Sequence, residues 1–67
     1  MDKVAEVARI EREAVEVRLM PADLCRLAQV NPSTWWRVRQ KPEKLTLRVL
    51  GKLEVAIRNR RKELADA

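Results

Sequence analysis

The fold is decided at residues 20–40, which read MPADLCRLAQVNPSTWWRVRQ. Two short helical patterns meet there at one tight turn. Asn31 can cap the second helix, and Pro32 suits its first position, where no backbone N–H is needed. The stretch therefore predicts two short helices, at residues 21–28 and 32–40, with the rest of the chain organised around them.

The second helix of this pair has two unlike sides. At about 100° per residue, Trp35 and Val38 fall on the same side of the helix. The other side is polar apart from one tryptophan and carries Ser33, Trp36, Arg37 and Gln40. Two adjacent tryptophans cannot both enter one core from one helix, so the Val38 spacing predicts that Trp35 is buried and Trp36 at least partly exposed.

The first helix of the pair presents an apolar face of Leu24, Cys25 and Ala28, whose small members permit close helix packing. Residues 24–40, LCRLAQVNPSTWWRVRQ, resemble the helix-turn-helix of Cro-like and repressor-like phage regulators, the XRE type. The family's apolar positions are occupied here by Leu24, Ala28, Val30, Trp35 and Val38, and Cys25 stands where the family usually has alanine.

This resemblance implies a recognition helix that carries Ser33, Thr34, Trp36 and Arg37, with base contacts from Ser33 and Arg37. It is strong over residues 19–40, weaker over 45–57 and absent from both ends. Gln29 stands where the family commonly has glycine, and a positive φ there would cost about 1 kcal/mol, so the turn could be shaped differently from that of the family.

The charge of the chain is unevenly distributed. Its 67 residues carry a net charge of +5, with six acidic and four basic residues before position 24 and four acidic and eleven basic residues from there on. Residues 24–41 contain four basic residues and no acidic one. Charged helix faces are usually only solvated, but the basic section coincides with the motif and so favours a polyanionic partner.

Two long helices are predicted to flank the pair. Asp2 can cap a helix over residues 2–18, and Thr46 can cap one over residues 46–63, with Leu45 and Leu50 as a hydrophobic staple. Their predicted inner faces are Val4, Val7, Ile10, Ala14 and Val17 in the first, and Leu47, Leu50, Leu53 or Glu54, and Ile57 in the last. Val15 and Leu19 could widen the contact with the motif or serve a partner.

The last helix is predicted to carry a second apolar surface, because Val49, Val55 and Ala56 lie off its inner face. Gly51 costs about 1 kcal/mol relative to alanine inside a helix, which close packing of another backbone would offset. Since so short a chain without a disulfide pair often gains stability from a second copy, we expect a homodimer. The whole chain, residues 1–67, is predicted to form one all-α, four-helix domain with a central helix-turn-helix.

The segment KPEKL, residues 41–45, is predicted to be a loop beside the recognition helix. In a helix-turn-helix complex such a loop runs along the phosphate backbone, where Lys41 would add affinity without sequence preference. Lys44 either does the same or belongs to an ordinary solvated loop. The predicted DNA-binding residues are therefore Pro32, Ser33, Thr34, Trp36, Arg37, Gln40, Lys41 and Lys44.

No catalytic constellation is visible, since the chain has neither histidine nor tyrosine and Cys25 has no basic partner. We expect no enzyme activity, cofactor, metal or small-molecule ligand, and no membrane segment. The leading interpretation is a dimeric DNA-binding regulator, most simply a repressor of its own promoter at an inverted-repeat operator, in the cytoplasm of a bacterium or encoded by a mobile element. The alternative is a protein-binding module, such as a small antitoxin or anti-activator, that uses the exposed Trp36.

Overall fold

The predicted pair of short helices forms the centre of the computed structural model, which describes residues 1–66. Four α-helices follow one another along the chain: α1 (Lys3–Glu16), α2 (Pro21–Ala28), α3 (Pro32–Gln40) and α4 (Leu47–Asp66). A single 3-10 turn, Pro42–Lys44, interrupts the segment that was predicted to be a plain loop. The domain is all-α within the described residues, as predicted, and no helix there is long and apolar enough to cross a membrane.

The predicted caps are confirmed, and each acts within three residues of its helix start. Asp2 Oδ1 accepts a hydrogen bond from the N–H of Ala5 at 3.1 Å. Thr46 Oγ1 accepts one from the N–H of Val49 at 3.2 Å. Each of these bonds satisfies a backbone donor that has no partner inside its helix.

Helix α1 ends through a left-handed residue that the sequence did not signal. Arg18 has a φ of 60°, its N–H donates to Val15 O at 3.0 Å, and the N–H of Leu19 donates to Ala14 O at 2.8 Å. This pair of backbone hydrogen bonds is the Schellman motif, which is usually built on glycine. It turns the chain so that Leu19 is buried and joins the core, which decides between its two predicted roles.

The core is formed by all four helices, with α4 packed against both α2 and α1. Its members are apolar throughout: Val7, Ile10, Ala14, Val17, Leu19, Leu24, Cys25, Ala28, Val30, Trp35, Val38, Leu45, Leu50, Leu53, Ala56 and Ile57. Both members of the predicted staple, Leu45 and Leu50, are buried.

Three of the predicted inner and outer positions are wrong. Val4 is 66 % exposed and Leu47 is 73 % exposed, although both were placed on inner faces, whereas Ala56 is buried. Three residues turn a helix by about 300°, which is about 60° less than a full turn. A helical face that is extended toward the N-terminus by a step of three residues therefore rotates away from the core. Val4 and Leu47 thereby lie roughly 100° from the centre of the buried side of their helices.

Ion pairs join the first and last helices. The guanidinium of Arg9 contacts Glu6 at 2.6 Å and Glu13 at 3.2 Å on its own helix, and Glu54 of α4 at 3.0 Å. The side-chain hydrogen bond to Glu6 is the largest cause that raises the pKa of Arg9 above its ordinary value. Glu6 and Glu13 therefore orient the Arg9 guanidinium on α1, and its pair with Glu54 ties α1 to α4.

Candidate nucleic-acid interface

The turn between α2 and α3 keeps the left-handed geometry that glycine would ordinarily supply. Gln29 has φ 57° and ψ 42°, and its N–H donates to Arg26 O at 3.3 Å. The N–H of Val30 donates to Cys25 O at 2.9 Å, which completes a second Schellman motif. The different turn shape that Gln29 suggested in the sequence therefore does not occur: Gln29 bears the cost of a positive φ, and burial of Val30 accompanies the turn.

Helix α3 begins at a short cluster of polar groups. Asn31 Oδ1 accepts hydrogen bonds from the N–H of Ser33 at 2.9 Å and from Ser33 Oγ at 2.6 Å. Pro32 occupies the first helical position, as predicted. Because the hydroxyl proton of Ser33 is directed to Asn31, the free lone pairs of Ser33 Oγ remain available to accept a hydrogen bond from outside.

The two sides of α3 differ as its spacing predicts. Trp35 and Val38 are each 2 % exposed, and Trp36 is 62 % exposed. We call the outward side the reading stripe, which consists of Ser33, Trp36, Arg37 and Gln40, all exposed. An exposed polar stripe on a helix of nine residues, fixed from behind by a buried tryptophan, is a surface that can enter a groove.

Helix α3 is also held from α1. Arg39 Nε donates to Glu11 Oε1 at 2.7 Å, and both side chains are partly exposed. Arg37, only two residues earlier, has no ion pair within residues 1–66. The two arginines of α3 therefore differ, since Arg39 forms an ion pair with Glu11 of α1 and Arg37 is available to a partner.

On one flank of the reading stripe lies an apolar groove between α3 and the start of α2. Most of the side chains that line this groove are apolar, and we call it the apolar groove. Its lining residues are Pro21, Ala22, Cys25, Pro32, Ser33, Trp35, Trp36 and Arg39. Desolvation raises the pKa of the buried Cys25 thiol, and nearby Arg39 lowers it to a smaller extent. The thiol is therefore held neutral.

The opposite flank is polar and basic. Here the turn, the start of α3 and the start of α4 form what we call the basic groove, lined by Gln29, Val30, Asn31, Thr34, Thr46, Arg48, Val49 and Lys52. Thr34 is half-buried at its edge. Arg48 and Lys52 were not among the predicted site residues, because only the docking of α4 beside the turn brings them next to α3, which ends at Gln40.

The two predicted loop lysines lie just beyond α3, and both are exposed. Lys41 is the C-cap of α3. Its carbonyl accepts a hydrogen bond from the N–H of Lys44 at 2.9 Å, which closes the 3-10 turn. The predicted site residues are thus brought together along α3 and its C-terminal end, with Pro32 and Thr34 at the start of the helix.

A separate exposed apolar surface lies on the far side of the basic groove. It comprises Leu27 of α2 and Leu47, Gly51 and Val55 of α4, and we call it the α2–α4 patch. A Cβ built on Gly51 would meet nothing within 4 Å, so the expected close packing of another backbone does not occur within residues 1–66. Gln29, Arg48 and Lys52 border both the patch and the basic groove.

Comparisons of the chain with protein family models, with curated proteins and with solved structures found no match. Only the residues and their geometry therefore bear on function.

Proposed function

We propose that the protein is a sequence-specific, double-stranded DNA-binding regulator whose helix α3 enters the major groove. The observation that carries this proposal is the reading stripe: Ser33, Arg37 and Gln40 are exposed on a helix whose other side is fixed in the core by Trp35 and Val38. The major groove admits an α-helix and displays a donor and acceptor pattern that differs for each base pair.

Each polar residue of the stripe has a role that its chemistry supports. Arg37 has a fork of donors that matches the two acceptors of guanine, and it has no competing ion pair within residues 1–66. Ser33 Oγ has lone pairs free to accept from a base amino group. Gln40, one turn further along, can donate to adenine N7 and accept from its N6 amino group.

The residues beside the stripe supply affinity without sequence preference. Lys41 and Lys44 extend from the C-terminal end of α3, where the phosphate backbone would run. Arg48 and Lys52 place two further positive charges along the basic groove, on the flank of Thr34. We propose that both pairs of basic residues contact phosphates beside the groove that α3 enters.

A second copy of the chain is the partner that we propose for the α2–α4 patch. Leu27, Leu47 and Val55 are exposed there, and Gly51 leaves room for another helix to approach closely. The patch adjoins the basic groove and leaves α3 uncovered, so two copies joined there can both present α3. A two-fold dimer matches an inverted-repeat operator, and occupation of that operator would repress the promoter that contains it.

We also propose kinship with the Cro-like and repressor-like regulators. The support is that the family's apolar positions, Leu24, Ala28, Val30, Trp35 and Val38, are all buried, and that the turn keeps a positive φ at the residue where the family commonly has glycine. The proposed site of action is bacterial DNA, in the host of the chromosome or mobile element that encodes the protein.

The deciding experiment is selection of duplexes from a random library, followed by gel shifts of the enriched duplex and a scrambled one at two salt concentrations. Binding to both duplexes should weaken at the higher salt concentration, because both use phosphate contacts. The preference for the enriched duplex should persist, because base contacts release no counterions. Equal affinity for the two duplexes at both salt concentrations would contradict the proposal.

One observation favours a second function. Trp36 is largely exposed beside the apolar groove, and aromatic side chains are enriched at protein interfaces. A protein-binding module, such as an antitoxin or anti-activator, would use this surface to hold a partner protein. In that case the selected library would show no enriched sequence, and a Trp36→Ala variant would lose the partner while keeping its weak affinity for DNA.

A further inference from the structure

Trp36 is the one apolar member of the reading stripe, and the base contacts proposed for the other three members leave its role open to inference. Trp36 is the most exposed aromatic group of the protein, and it stands on the same stripe as Arg37 and Gln40. Pro21, Ala22 and Pro32 beside it are exposed and offer only carbon atoms from their side chains. Apart from Ser33 and the indole N–H of Trp36, the side chains on this side of α3 therefore offer little hydrogen bonding to a base edge.

The charge near Trp36 is already neutralised. Arg39, the one ionised side chain that lines the apolar groove, donates to Glu11 at 2.7 Å. A phosphate therefore finds no free cation on this flank, in contrast to the basic groove, where Arg48 and Lys52 have no ion pair within the described residues. The flank is built for an apolar contact.

The major groove offers one apolar feature that distinguishes base pairs, which is the C5-methyl group of thymine. We propose that Trp36 is a specificity-determining residue that packs its indole on a thymine methyl of each operator half-site. This inference rests on the proposed DNA-binding function. It adds the base that Trp36 selects. Contact with the methyl group would bury part of the indole that is exposed in the free protein.

The position of that thymine follows from the helix. Trp36 and Arg37 are successive residues, about 1.5 Å apart along the axis of α3 and about 100° apart around it. Trp36 lies beside the start of α2, and helical periodicity places Arg37 on the side of Thr34 and Lys41. The thymine should therefore lie within about two base pairs of the guanine that Arg37 reads, displaced toward the α2 side.

The test removes the methyl group without altering base pairing. In the duplex enriched by selection, each thymine is replaced in turn by deoxyuridine, and the affinity of the unaltered protein is measured. We expect the affinity to fall about four-fold when one particular thymine of each half-site is replaced, because burial of one methyl-sized group contributes about that much. Replacement of the other thymines should leave the affinity unchanged. Trp36→Ala should bind the original duplex more weakly and show no further loss at that position.

A matched control is Val4→Ala, which trims an exposed apolar residue on α1, away from the reading stripe. This variant should keep the full sensitivity to deoxyuridine. Circular dichroism of both variants checks that the helices are intact, which is expected because each side chain is mostly exposed.

Two results would overturn the inference while leaving the proposed function in place. One is that the protein prefers its selected duplex but tolerates deoxyuridine at every thymine, which would mean that Trp36 contacts sugar or protein. The other is that Trp36→Ala keeps the loss at the sensitive thymine, which would assign the methyl contact to another residue. Failure to select any sequence would instead overturn the proposed function, and the inference with it.

Discussion

Trp35 and Trp36 are adjacent in the chain and about 100° apart around the same helix, and one is 2 % exposed whereas the other is 62 % exposed. The first fixes α3 to the core, and the second stands on its outer stripe with Arg37. The contrast sets the rotation of α3 about its own axis and thereby decides which residues are available to a partner.

Replacing each tryptophan with alanine should give opposite effects on folding. Trp35→Ala should lower the free energy of unfolding by about 3–5 kcal/mol, because it removes a large buried side chain from a small core. This is most of the stability expected of a domain of this size. Trp36→Ala should change it by less than about 1 kcal/mol. Urea unfolding followed by circular dichroism measures both, and a reversed order would mean that α3 is rotated by one residue.

Arg37→Ala and Lys41→Ala should differ in kind. Arg37→Ala should lose about 1–3 kcal/mol of affinity for the operator and little for random DNA, because its fork reads a base. Lys41→Ala should weaken binding to both and reduce the slope of log affinity against log salt by about one unit, because it only neutralises a phosphate. Titrations of both variants on operator and scrambled duplexes at several salt concentrations provide the comparison.

Arg39→Ala is the matched control for Arg37→Ala, since Arg39 has the same charge on the same helix but is paired with Glu11. It should leave the sequence preference unchanged. Equal losses for Arg37→Ala on the operator and the scrambled duplex would reduce Arg37 to a phosphate contact and remove the reading stripe from the groove.

The oligomeric state should depend on the α2–α4 patch. The protein should sediment as a dimer at tens of micromolar, roughly where a modest interface is occupied. The double variant Leu47→Lys and Val55→Lys should be a folded monomer, because both side chains are exposed and two buried charges would oppose each other across the interface. Val15→Lys, on an exposed position of α1, should remain dimeric. A monomeric unaltered protein would refute the proposed dimer.

Gly51→Ala should stabilise the isolated subunit by up to about 1 kcal/mol. The added Cβ meets nothing within 4 Å, so the gain in helix propensity has no opposing clash. The measurement is urea unfolding in the monomeric background of the previous variant. Ala8→Gly, the reverse change at an exposed position inside α1, should cost a similar amount. Destabilisation by Gly51→Ala would show that the start of α4 packs more tightly than its open surface implies.

Stability should fall at alkaline pH through Cys25. Because desolvation raises the pKa of this thiol in the folded state above its ordinary value of 9.0, the neutral thiol favours folding, and its contribution is complete below that pH. Above about pH 9 the unfolded thiol ionises first, so the free energy of unfolding should decrease by at most about 1.4 kcal/mol per pH unit until the folded thiol also ionises.

Comparison with Cys25→Ala isolates this contribution from that of the lysines. Unfolding is measured between pH 7 and pH 10 under reducing conditions, and the variant should show the shallower pH dependence. Parallel curves for the two proteins would mean that Cys25 ionises as readily in the folded state as in the unfolded one.

Much of the fold could be predicted because its determinants are local. The capping bonds of Asp2, Asn31 and Thr46 reach only two or three residues along the chain. The rotation of α3 followed from the spacing of Trp35 and Val38 alone. Both kinds of signal are complete within one or two helical turns, so the sequence itself contains all the information that they need.

The positions that depend on distant elements were decided only by the tertiary structure. Val4 and Leu47 fit a helical face in sequence but are exposed, because they lie roughly 100° from the side of each helix that the packing of the other helices buries. Arg60 Nε donates to Val17 O at 3.2 Å, a bond between residues 43 positions apart that supports the end of α1.

The same distinction applies to the candidate interface. The sequence by itself determined the reading stripe, because four residues of one helix share a side whatever the helix packs against. Only the packing of α4 beside the turn placed Arg48 and Lys52 along the basic groove and left Gly51 open in an exposed patch. Helical periodicity fixes neighbours within an element, whereas neighbours between elements depend on which side chains fill the core.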